Sequence, residues 1–405
     1  MESNRPDPIA RSKAVARVTT LATDSLDWRS TTRRSLESSF ERKKLASGIT
    51  AEQDIPARSY ATMDGYAFDA TESYPFRLRD EEIFPEDTPP EVASDEAVRI
   101  ATGAPVPDSA NAVLKIEEAT VENDELTGPS LSPGTYVYER GSNVRAGEQL
   151  FEAGERLSAK DSIFLRDLGH ESVECYDPLS VALLATGSEI HEGKIKDLDS
   201  PMLASLIRSW GHIPAFEGTV PDEYDRVRET IDSLATEYDV VMTTGGTSVG
   251  KKDYVVRALS ELGEVLFHGV ALRPGKPLAV ARLPDHDAVA FAIPGKPIGA
   301  HAVTTLVCRP FFTGRTALPT VSARASVSVA VPTPGFEYAI PVVLEDGTAL
   351  ALGHRESPLS IYDETFDPSV LSSSTRASRA DGFVLTETGI EAGEQVSVIP
   401  YEVVE

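Results

Sequence analysis

Between residues 178 and 318, short apolar runs alternate with longer segments that carry only one apolar side. The run VALLAT at 181–186 stops at a glycine. The segment at 199–211 opens with an acidic residue and a proline and closes with a glycine, which is typical of a helix. The same cycle continues in HIPAFEGTV, PDEYDRVRETIDSLATE, YDVVMTTGG and AVAFAIPGKP with IGAHAVTTLVCRPFF. This alternation predicts a mostly parallel sheet that helices cover on both faces.

The rest of the chain divides into regions of different pattern, and 405 residues are too many for one ordinary core. Residues 1–45 are polar, with a helical stretch predicted near 31–44. Residues 46–140 hold short strand-like runs between Pro, Gly and Asp turns, which predicts a β-rich domain. Residues 141–177 return to a helical pattern. Residues 319–405 are rich in Val, Thr and Gly in short alternations, which predicts a small all-β domain.

The formal net charge of −26 argues against a nucleic-acid-binding surface, because neutralising phosphates requires clustered Lys and Arg. The acidic residues are spread along the chain, as expected of a solvating surface suited to high internal salt. No apolar run approaches the length of a membrane span, and the N-terminus lacks the apolar stretch of a secretory signal. Cys175 and Cys308 are far apart in the sequence, and each lies in apolar surroundings. This favours two buried free thiols over a disulfide, and with them a reducing, cytoplasmic location.

Glycine-rich loops follow three strands of the predicted sheet, and a fourth such loop follows another apolar run. Ligands of an open parallel sheet bind beyond the carboxyl ends of its strands, where glycine turns expose N–H groups to phosphates or oxyanions. One such loop can be a tight turn and nothing more, but several at one edge favour a site. The candidate ligand-binding residues are Thr186, Gly187, Ser188, Gly245, Gly246, Thr247, Ser248, Gly250, Arg273, Pro274, Gly275, Lys276, Pro294, Gly295 and Lys296.

Lysine is scarce in this chain, yet four lysines lie in or beside these loops: Lys251, Lys252, Lys276 and Lys296. Each one alone fits a solvated surface charge better than a binding residue. On a strongly acidic protein, however, an anionic ligand needs a local cationic patch to overcome the overall field. The clustering therefore favours an anion-binding site.

Carboxylates are predicted at the same edge of the sheet. Glu189 directly follows a strand and Asp253 follows the GGTSVG loop, so both suit Mg²⁺, which takes one or two carboxylates together with substrate oxygens. Asp222 stands at the start of a helix, where a favourable helix-terminus charge is the alternative. His268 and His301 show no metal-ligand spacing and are expected at the surface or in the core. The sequence contains no nucleophile elbow, Walker A lysine motif or dinucleotide-binding glycine loop.

Several motifs of this chain resemble those of the molybdopterin molybdenumtransferases, the MoeA family, whose eukaryotic relative is the C-terminal part of gephyrin. The resemblance covers nearly the whole chain after about residue 30. The matching motifs are MDGYA at 63–67, TGAP at 102–105, GSNVR at 141–145, TGSE at 186–189, GGTSVG at 245–250 with Asp253, and RPGKP at 273–277.

The resemblance implies a multidomain α/β fold and a homodimer of elongated four-domain subunits. In each subunit, 178–318 would be a MogA-like molybdopterin-binding domain and 46–140 the β-rich domain. Residues 1–45 with 141–177 would form a helical and extended linker domain, and 319–405 a small β-barrel. The active site would lie between the parallel-sheet domain of one subunit and the MDGYA-bearing domain of the other.

The reaction that the resemblance implies is insertion of molybdate or tungstate into adenylylated molybdopterin, with release of AMP and a requirement for a divalent cation such as Mg²⁺. By matched position, Arg273 and Lys276 would contact the ligand. The catalytic residues would be Asp64, Thr102, Glu189, Asp222 and Asp253. Asp64 and Thr102 rest on the resemblance alone, since nothing else in the sequence singles them out.

This chain departs from the family pattern at several positions. Lys296 replaces an amide in the PGNP loop, Gln149 replaces a carboxylate, and Gly269 replaces a lysine. Ala61 stands for a serine near MDGYA, and Pro201 for an asparagine in a D-[ST]-N segment. One hypothesis is compensation, in which Lys296 supplies the cation that is missing at 269.

Three functions are therefore compared. The first is the metal-inserting enzyme, favoured by the retained Asp64, Glu189 and Asp253. The second is a diverged paralogue that binds molybdopterin and scaffolds or regulates an active partner enzyme, favoured by Gln149 and Gly269. The third, an unrelated nucleotide-binding α/β protein, lacks a base- or ribose-recognition motif.

Overall fold

A computed structural model describes residues 7–37, 43–246 and 253–405 of the chain. Its contacts form two compact units. The first contains residues 7–32, 43–44 and 175–405, and the second contains residues 33–37 and 45–174. The finer division into four domains stays a prediction.

The described helices occur mainly in the first unit. They are α1 Arg11–Asp24, α2 Asp161–Asp167, α3 Ser188–His191, α4 Asp199–Ser209, α5 Tyr224–Ala235, α6 Tyr254–Leu262, α7 Pro297–Val303, α8 Arg309–Thr313, α9 Pro368–Leu371 and α10 Tyr401–Val404. A π-helical turn at Thr304–Cys308 joins α7 to α8. Short 3-10 turns lie at Ser25–Trp28, Ile116–Glu118, Pro284–His286 and Thr375–Arg379.

The described strands fall into two halves of the chain. The first half contains β1 Thr31–Ser35, β2 Ile49–Thr50, β3 Tyr60–Ala61, β4 Gly65–Phe68, β5 Phe76–Ile83, β6 Glu96–Ile100, β7 Ala112–Lys115, β8 Thr120–Glu122, β9 Glu125–Thr127, β10 Val137–Tyr138, β11 Gln149–Phe151 and β12 Ser172–Tyr176. The second half contains β13 Ser180–Thr186, β14 Ile213–Val220, β15 Val240–Thr244, β16 Glu264–His268, β17 Leu272–Arg273, β18 Ala279–Leu283, β19 Ala288–Ile293, β20 Val321–Ala325, β21 Glu337–Glu345, β22 Thr348–Ala351, β23 Gly382–Thr386 and β24 Gln395–Pro400.

The helix predicted near 31–44 is wrong, because residues 31–35 form strand β1. This segment is rich in Thr, Arg and Ser, and β-branched residues suit a strand better than a helix. Part of the predicted helix, at 38–42, lies outside the described residues.

The large sheet of the first unit has the strand order β14-β13-β15-β19-β18-β16. Strands β14, β13, β15 and β19 are parallel, as predicted, whereas β18 pairs antiparallel with β19 and β16 pairs antiparallel with β18. The antiparallel edge arises because only the short turn at 284–287 joins β18 to β19, and so short a link cannot make a parallel crossover. Two apolar clusters cover the two faces of the sheet, as predicted.

A closed barrel of five strands follows in the same unit. Its strands run in the order β21-β22-β20-β24-β23, and β23 also pairs with β21 to close the ring. Strand β17 adds to the outer edge of β21 in parallel orientation. The barrel shares one apolar cluster with a face of the large sheet and with α1. The small C-terminal β-barrel is therefore confirmed.

The second unit is built around another six-stranded sheet, with the order β7-β4-β6-β5-β9-β8. Strand β4 belongs to the MDGYA motif and lies between β6 and β7. Its Gly65 has no room for a side chain, since a Cβ atom there would lie 2.0 Å from the carbonyl oxygen of Leu114. The glycine of the motif thus allows two backbones to approach closely.

Cys175 and Cys308 are both buried and are not joined in a disulfide, as predicted. Within the ranges that the structure describes, no helix combines the length and apolar character needed to cross a membrane.

Candidate functional site

A cavity of about 440 Å³ lies at the carboxyl edge of the large sheet, where the loops after β15 and β19 meet the loop after β17. Helices α7 and α9 close its remaining sides. The cavity is lined by Gly245, Gly246, Arg273, Pro274, Gly275, Lys276, Pro277, Pro294, Gly295, Lys296, Gly299, Pro368, Ser369 and Ser372. The structure thus brings together three of the four loops singled out in the sequence.

Two glycines of the β15 loop are required by close packing. Both have positive φ angles, and a Cβ atom on Gly245 would lie 2.8 Å from the carbonyl oxygen of Thr186. On Gly246 it would lie 2.6 Å from Val255. The hydroxyl of Thr186 is buried and donates to the carbonyl of Thr244, so it joins neighbouring strands. These contacts hold the cavity wall in place, and at Gly245 and Gly246 only backbone atoms line the cavity.

The cavity also holds three cationic side chains. Across the described residues, Arg273 and Lys276 form no ion pair with a carboxylate; both lie over the ring of Phe336, at 3.9 and 5.6 Å from its centroid. Lys296 Nζ donates to the carbonyl of Ser369 at 2.9 Å. An acidic chain that leaves such cations without carboxylate partners offers them to an external anion.

Asp222 and Ser188 tie the β13 and β14 loops together. The backbone N–H of Asp222 donates to Ser188 Oγ at 3.0 Å, and the N–H of Ser188 donates to a carboxylate oxygen of Asp222 at 3.4 Å. Gly187, just before α3, has φ +132° with open space around it. Glu189 in α3 is exposed. Asp222 therefore has a loop-bridging role that the sequence did not reveal.

Asp253 stands immediately before α6 and is half-buried, with a carboxylate oxygen 3.9 Å from His268 Nε2. His301, by contrast, is buried and paired with Glu405 at 2.8 Å. The described ranges contain no group of three or more His, Cys, Asp or Glu side chains that could hold a metal ion by themselves. The remaining candidates of the β15 loop lie outside the described residues; they are Thr247, Ser248, Gly250, Lys251 and Lys252.

Asp64 and Thr102 come together in the second unit. One carboxylate oxygen of Asp64 accepts hydrogen bonds from the backbone N of Thr102 at 2.6 Å and from its hydroxyl at 2.7 Å. These two bonds, with the charge of Arg99, hold the pKa of Asp64 below its usual value. Antiparallel pairing of Gly65 with Ile100 explains the meeting, because Asp64 precedes β4 and Thr102 follows β6.

Two of the replaced positions, Gly269 and Pro201, have local explanations. Gly269 has φ +100°, a conformation that a lysine side chain rarely adopts, and a Cβ atom there would lie 3.4 Å from Pro8. Pro201 lies in the first turn of α4, where a proline is tolerated. Gln149 begins β11 and is exposed, and Ala61 is a buried residue of β3.

Sequence reasoning missed the barrel side of the cavity. Pro368, Ser369 and Ser372 belong to or follow α9, whose N-terminus is capped by Asp367. An Asp followed by Pro is a helix-start signal, but 319–405 was interpreted as all β. Phe336 carried no local signal, since its role depends on a contact with residues far away in the sequence.

Two parts of the chain match known protein families. Residues 9–169 match the family described as MoeA N-terminal region (domain I and II), and residues 182–314 match the one described as probable molybdopterin binding domain. A putative molybdopterin biosynthesis protein of Methanocaldococcus jannaschii is 30% identical over 287 residues, which cover 67% of this chain and 71% of that protein. The molybdopterin molybdenumtransferase of Bacillus subtilis is 28% identical over 388 residues, covering 90% and 88% of the two chains.

A solved structure extends the similarity to the whole fold. The molybdopterin biosynthesis MoeA protein of Pyrococcus horikoshii superposes with a TM-score of 0.71 at 26% identity, covering 97% of this chain and 99% of that one. A cationic cavity with glycine walls, at the carboxyl edge of an open sheet joined to a β-barrel, defines a class of α/β proteins that bind anionic ligands. Within that class, the chain belongs to the MoeA family of molybdenum cofactor biosynthesis proteins.

Proposed function

We propose that this protein inserts molybdate or tungstate into adenylylated molybdopterin and releases AMP. The observation that carries the proposal is the cavity in which Arg273 and Lys276 lack carboxylate partners among the described residues, although acidic residues outnumber basic ones by 64 to 38. Both the substrate phosphates and the metal oxyanion are negatively charged, so both need such a patch. Membership of the MoeA family supports the same reaction.

The residues of the cavity have proposed roles in binding and orientation. Lys276, Arg273 and Lys296 would neutralise an oxyanion or phosphate, and charge-assisted hydrogen bonds from these cations fix its position. The backbone at Gly245 and Gly246 approaches the ligand without side chains in the way. Binding in such a fixed arrangement aligns the reacting groups and lowers the entropic cost of their encounter.

Asp64 would act as an ionised carboxylate from the second unit. Its two bonds from Thr102 favour the charged form, which suits electrostatic stabilisation or acceptance of a proton from water. Asp222 would position the β13 loop through Ser188 and so present Glu189. In the homodimer that we propose, the Asp64 unit of one subunit completes the site of the other.

A divalent cation, with Mg²⁺ as the proposed ion, would be held by Glu189 and Asp253 together with substrate oxygens. The described residues at this edge include carboxylates, but no group of three or more His, Cys, Asp or Glu side chains that could hold a metal ion by themselves. They therefore fit an ion whose remaining ligands are substrate oxygens. Mg²⁺ characteristically binds through one or two carboxylates and substrate phosphates. It would supply charge neutralisation to the phosphate group that leaves with AMP.

The cellular setting is part of the proposal. A net charge of −26 suits a cytoplasm of high salt, where a dense acidic surface remains hydrated. The proposed partners are adenylylated molybdopterin, molybdate or tungstate, a second copy of the chain and other proteins of molybdenum cofactor biosynthesis. The curated relatives named molybdopterin molybdenumtransferase support the enzyme rather than the non-catalytic scaffold that Gln149 and Gly269 favoured.

The test is AMP release by pure protein incubated with adenylylated molybdopterin, molybdate and Mg²⁺. We expect Asp253→Ala to lower AMP release about 100-fold or more, on the scale of a lost charged group at an active site. Asp225→Ala changes an exposed aspartate in the first turn of α5 and serves as the matched control. Substrate binding without AMP release in the wild type would contradict the proposal and support the scaffold.

A further inference from the structure

The loop before β21 brings an aromatic ring of the barrel to the cationic side of the cavity. Phe336 lies directly before β21 and is half-buried against the apolar cluster that the barrel shares with the sheet. The guanidinium of Arg273 lies 3.9 Å and the ammonium of Lys276 5.6 Å from its ring centroid. Both distances lie within the range of attraction between a cation and an aromatic face.

Pairing of the backbone fixes where this ring lies. Strand β17 joins the barrel beside β21 with Leu272 opposite Glu337 and Arg273 opposite Tyr338. The N–H of Glu337 donates to the carbonyl of Ala271 at 2.9 Å. The residue before Glu337 is therefore held next to the start of the RPGKP loop.

A buried hydroxyl fixes the other end of the same loop. Tyr338 is fully buried, and its hydroxyl donates to the carbonyl of Thr333 at 2.8 Å and accepts from the N–H of Thr333 at 3.2 Å. Two hydrogen bonds thus anchor the segment that carries Phe336. A ring held in this way loses little conformational entropy when it contacts the cations.

The acidic residue next to Phe336 in the sequence does not neutralise Arg273 or Lys276. The carboxylate of Glu337, the nearest acidic neighbour in sequence, is engaged by Arg11 from α1 in a two-pronged ion pair. Among the described residues, neither Arg273 nor Lys276 pairs with a carboxylate, and both lie over the ring of Phe336. An aromatic face attracts a cation without neutralising it, in contrast to a carboxylate.

We propose that Phe336 is a positioning residue, which holds Arg273 and Lys276 beside one aromatic ring and so sets the cationic geometry of the cavity. The inference rests on the proposed function, because it assumes that this cavity binds an oxyanion. Two flexible cations that repel each other would otherwise spread apart in the free protein. Holding them together in advance removes that cost from ligand binding.

The test is the dissociation constant of tungstate, measured by calorimetry on the full chain at constant ionic strength. Phe336→Leu and Phe336→Met keep an apolar side chain without an aromatic face, and each is expected to weaken tungstate binding about threefold to tenfold. Phe336→Tyr keeps the face and should stay within about twofold of the wild type. Leu350→Ala, which alters another partly buried barrel residue, should leave the affinity unchanged.

A double-mutant cycle separates positioning from packing. In an Arg273→Met/Lys276→Met background, Phe336→Leu should cause no further loss of tungstate affinity. The inference would be overturned if Phe336→Leu lowered tungstate affinity in that background as much as it does in the wild type. It would also be overturned if Phe336→Tyr lowered the affinity as much as Phe336→Leu, or if neither Phe336→Leu nor Phe336→Met lowered it. If the wild type releases AMP but the Phe336 variants give one of these results, the inference fails and the proposed function stands. If Phe336→Leu weakens tungstate binding but the wild type releases no AMP, the proposed function fails.

Discussion

One carboxylate oxygen of Asp64 accepts both the backbone N–H and the hydroxyl of Thr102, at 2.6 and 2.7 Å. The two residues are 38 positions apart and meet because β4 and β6 pair in antiparallel orientation. The hydroxyl bond is the largest cause of the lowered pKa of Asp64, followed by the backbone bond. Thr102 therefore stabilises the ionised form of the Asp64 carboxylate.

Thr102→Val is expected to raise the pKa of Asp64 toward its usual value, because valine keeps the shape and the N–H but cannot donate a side-chain bond. Since Asp64 would then become protonated at higher pH, the acidic limb of the pH profile of AMP release should move to higher pH. Thr102→Ser retains a hydroxyl donor and should keep the wild-type limb. An identical shift in both variants would contradict this role of the hydroxyl.

Gly245→Ala is expected to destabilise the protein more than Gly187→Ala. Both glycines have positive φ, so each alanine incurs about 1–3 kcal/mol of backbone strain. Only at Gly245 does the new methyl group also meet the carbonyl oxygen of Thr186, and such overpacking costs roughly 1–3 kcal/mol more. Urea-induced unfolding of the two variants measures the difference, and equal destabilisation would argue against the close approach at Gly245.

The fold was predictable where local patterns repeat. The strands and helices between 178 and 318 follow the apolar alternation, and the glycines between them lie in the loops where the sequence placed them. The antiparallel pairing of β18 with its neighbours β19 and β16 was not predicted, because a buried run does not show its direction in a sheet. The strand at 31–35 was missed because a polar segment carries little periodicity.

The candidate site was predictable only in part, for a related physical reason. The sequence pointed to Lys276 and Lys296 through their positions in glycine loops, and the structure places both in one cavity. Ser369 and Phe336 are contributed by the barrel through contacts between distant segments, which local pattern does not encode. Asp64 and Thr102 needed the resemblance, because neither lies in a motif that elementary chemistry marks as reactive.

Lys296→Asn tests whether this lysine supplies a cation to the ligand. Its ammonium is fixed on the cavity wall by the carbonyl of Ser369, at 2.9 Å. Loss of one charged hydrogen-bond donor is expected to weaken tungstate binding about threefold to thirtyfold at fixed salt. Lys296→Arg should retain most of the affinity, and Lys160→Asn, at an exposed lysine of the second unit, controls for the change in net charge. Unchanged affinity in Lys296→Asn would disprove the compensation hypothesis.

Asp199 provides a prediction about stability and pH. It begins α4 with 6% of its surface exposed, and its Oδ1 accepts no hydrogen bond from the described residues. Burial, with a smaller effect from the charge of Asp197, raises the pKa of Asp199 from 3.8 to about 7. At pH values between these two, the folded protein keeps a proton that the unfolded chain releases.

The contribution of Asp199 to the free energy of unfolding should therefore fall as the pH rises from about 4 to about 7 and level off above that range. The loss attributable to Asp199 is on the order of 2–4 kcal/mol. Asp199→Asn cannot ionise, so its free energy of unfolding, measured in urea at pH 5 and pH 8, should lack this part of the decline. Asp225→Asn, at an exposed position of α5, should keep it. The same decline in the free energy of unfolding in Asp199→Asn and in the wild type would contradict the prediction. It would mean that the carboxyl of Asp199 ionises as readily in the folded protein as in the unfolded chain, despite its burial beside Asp197.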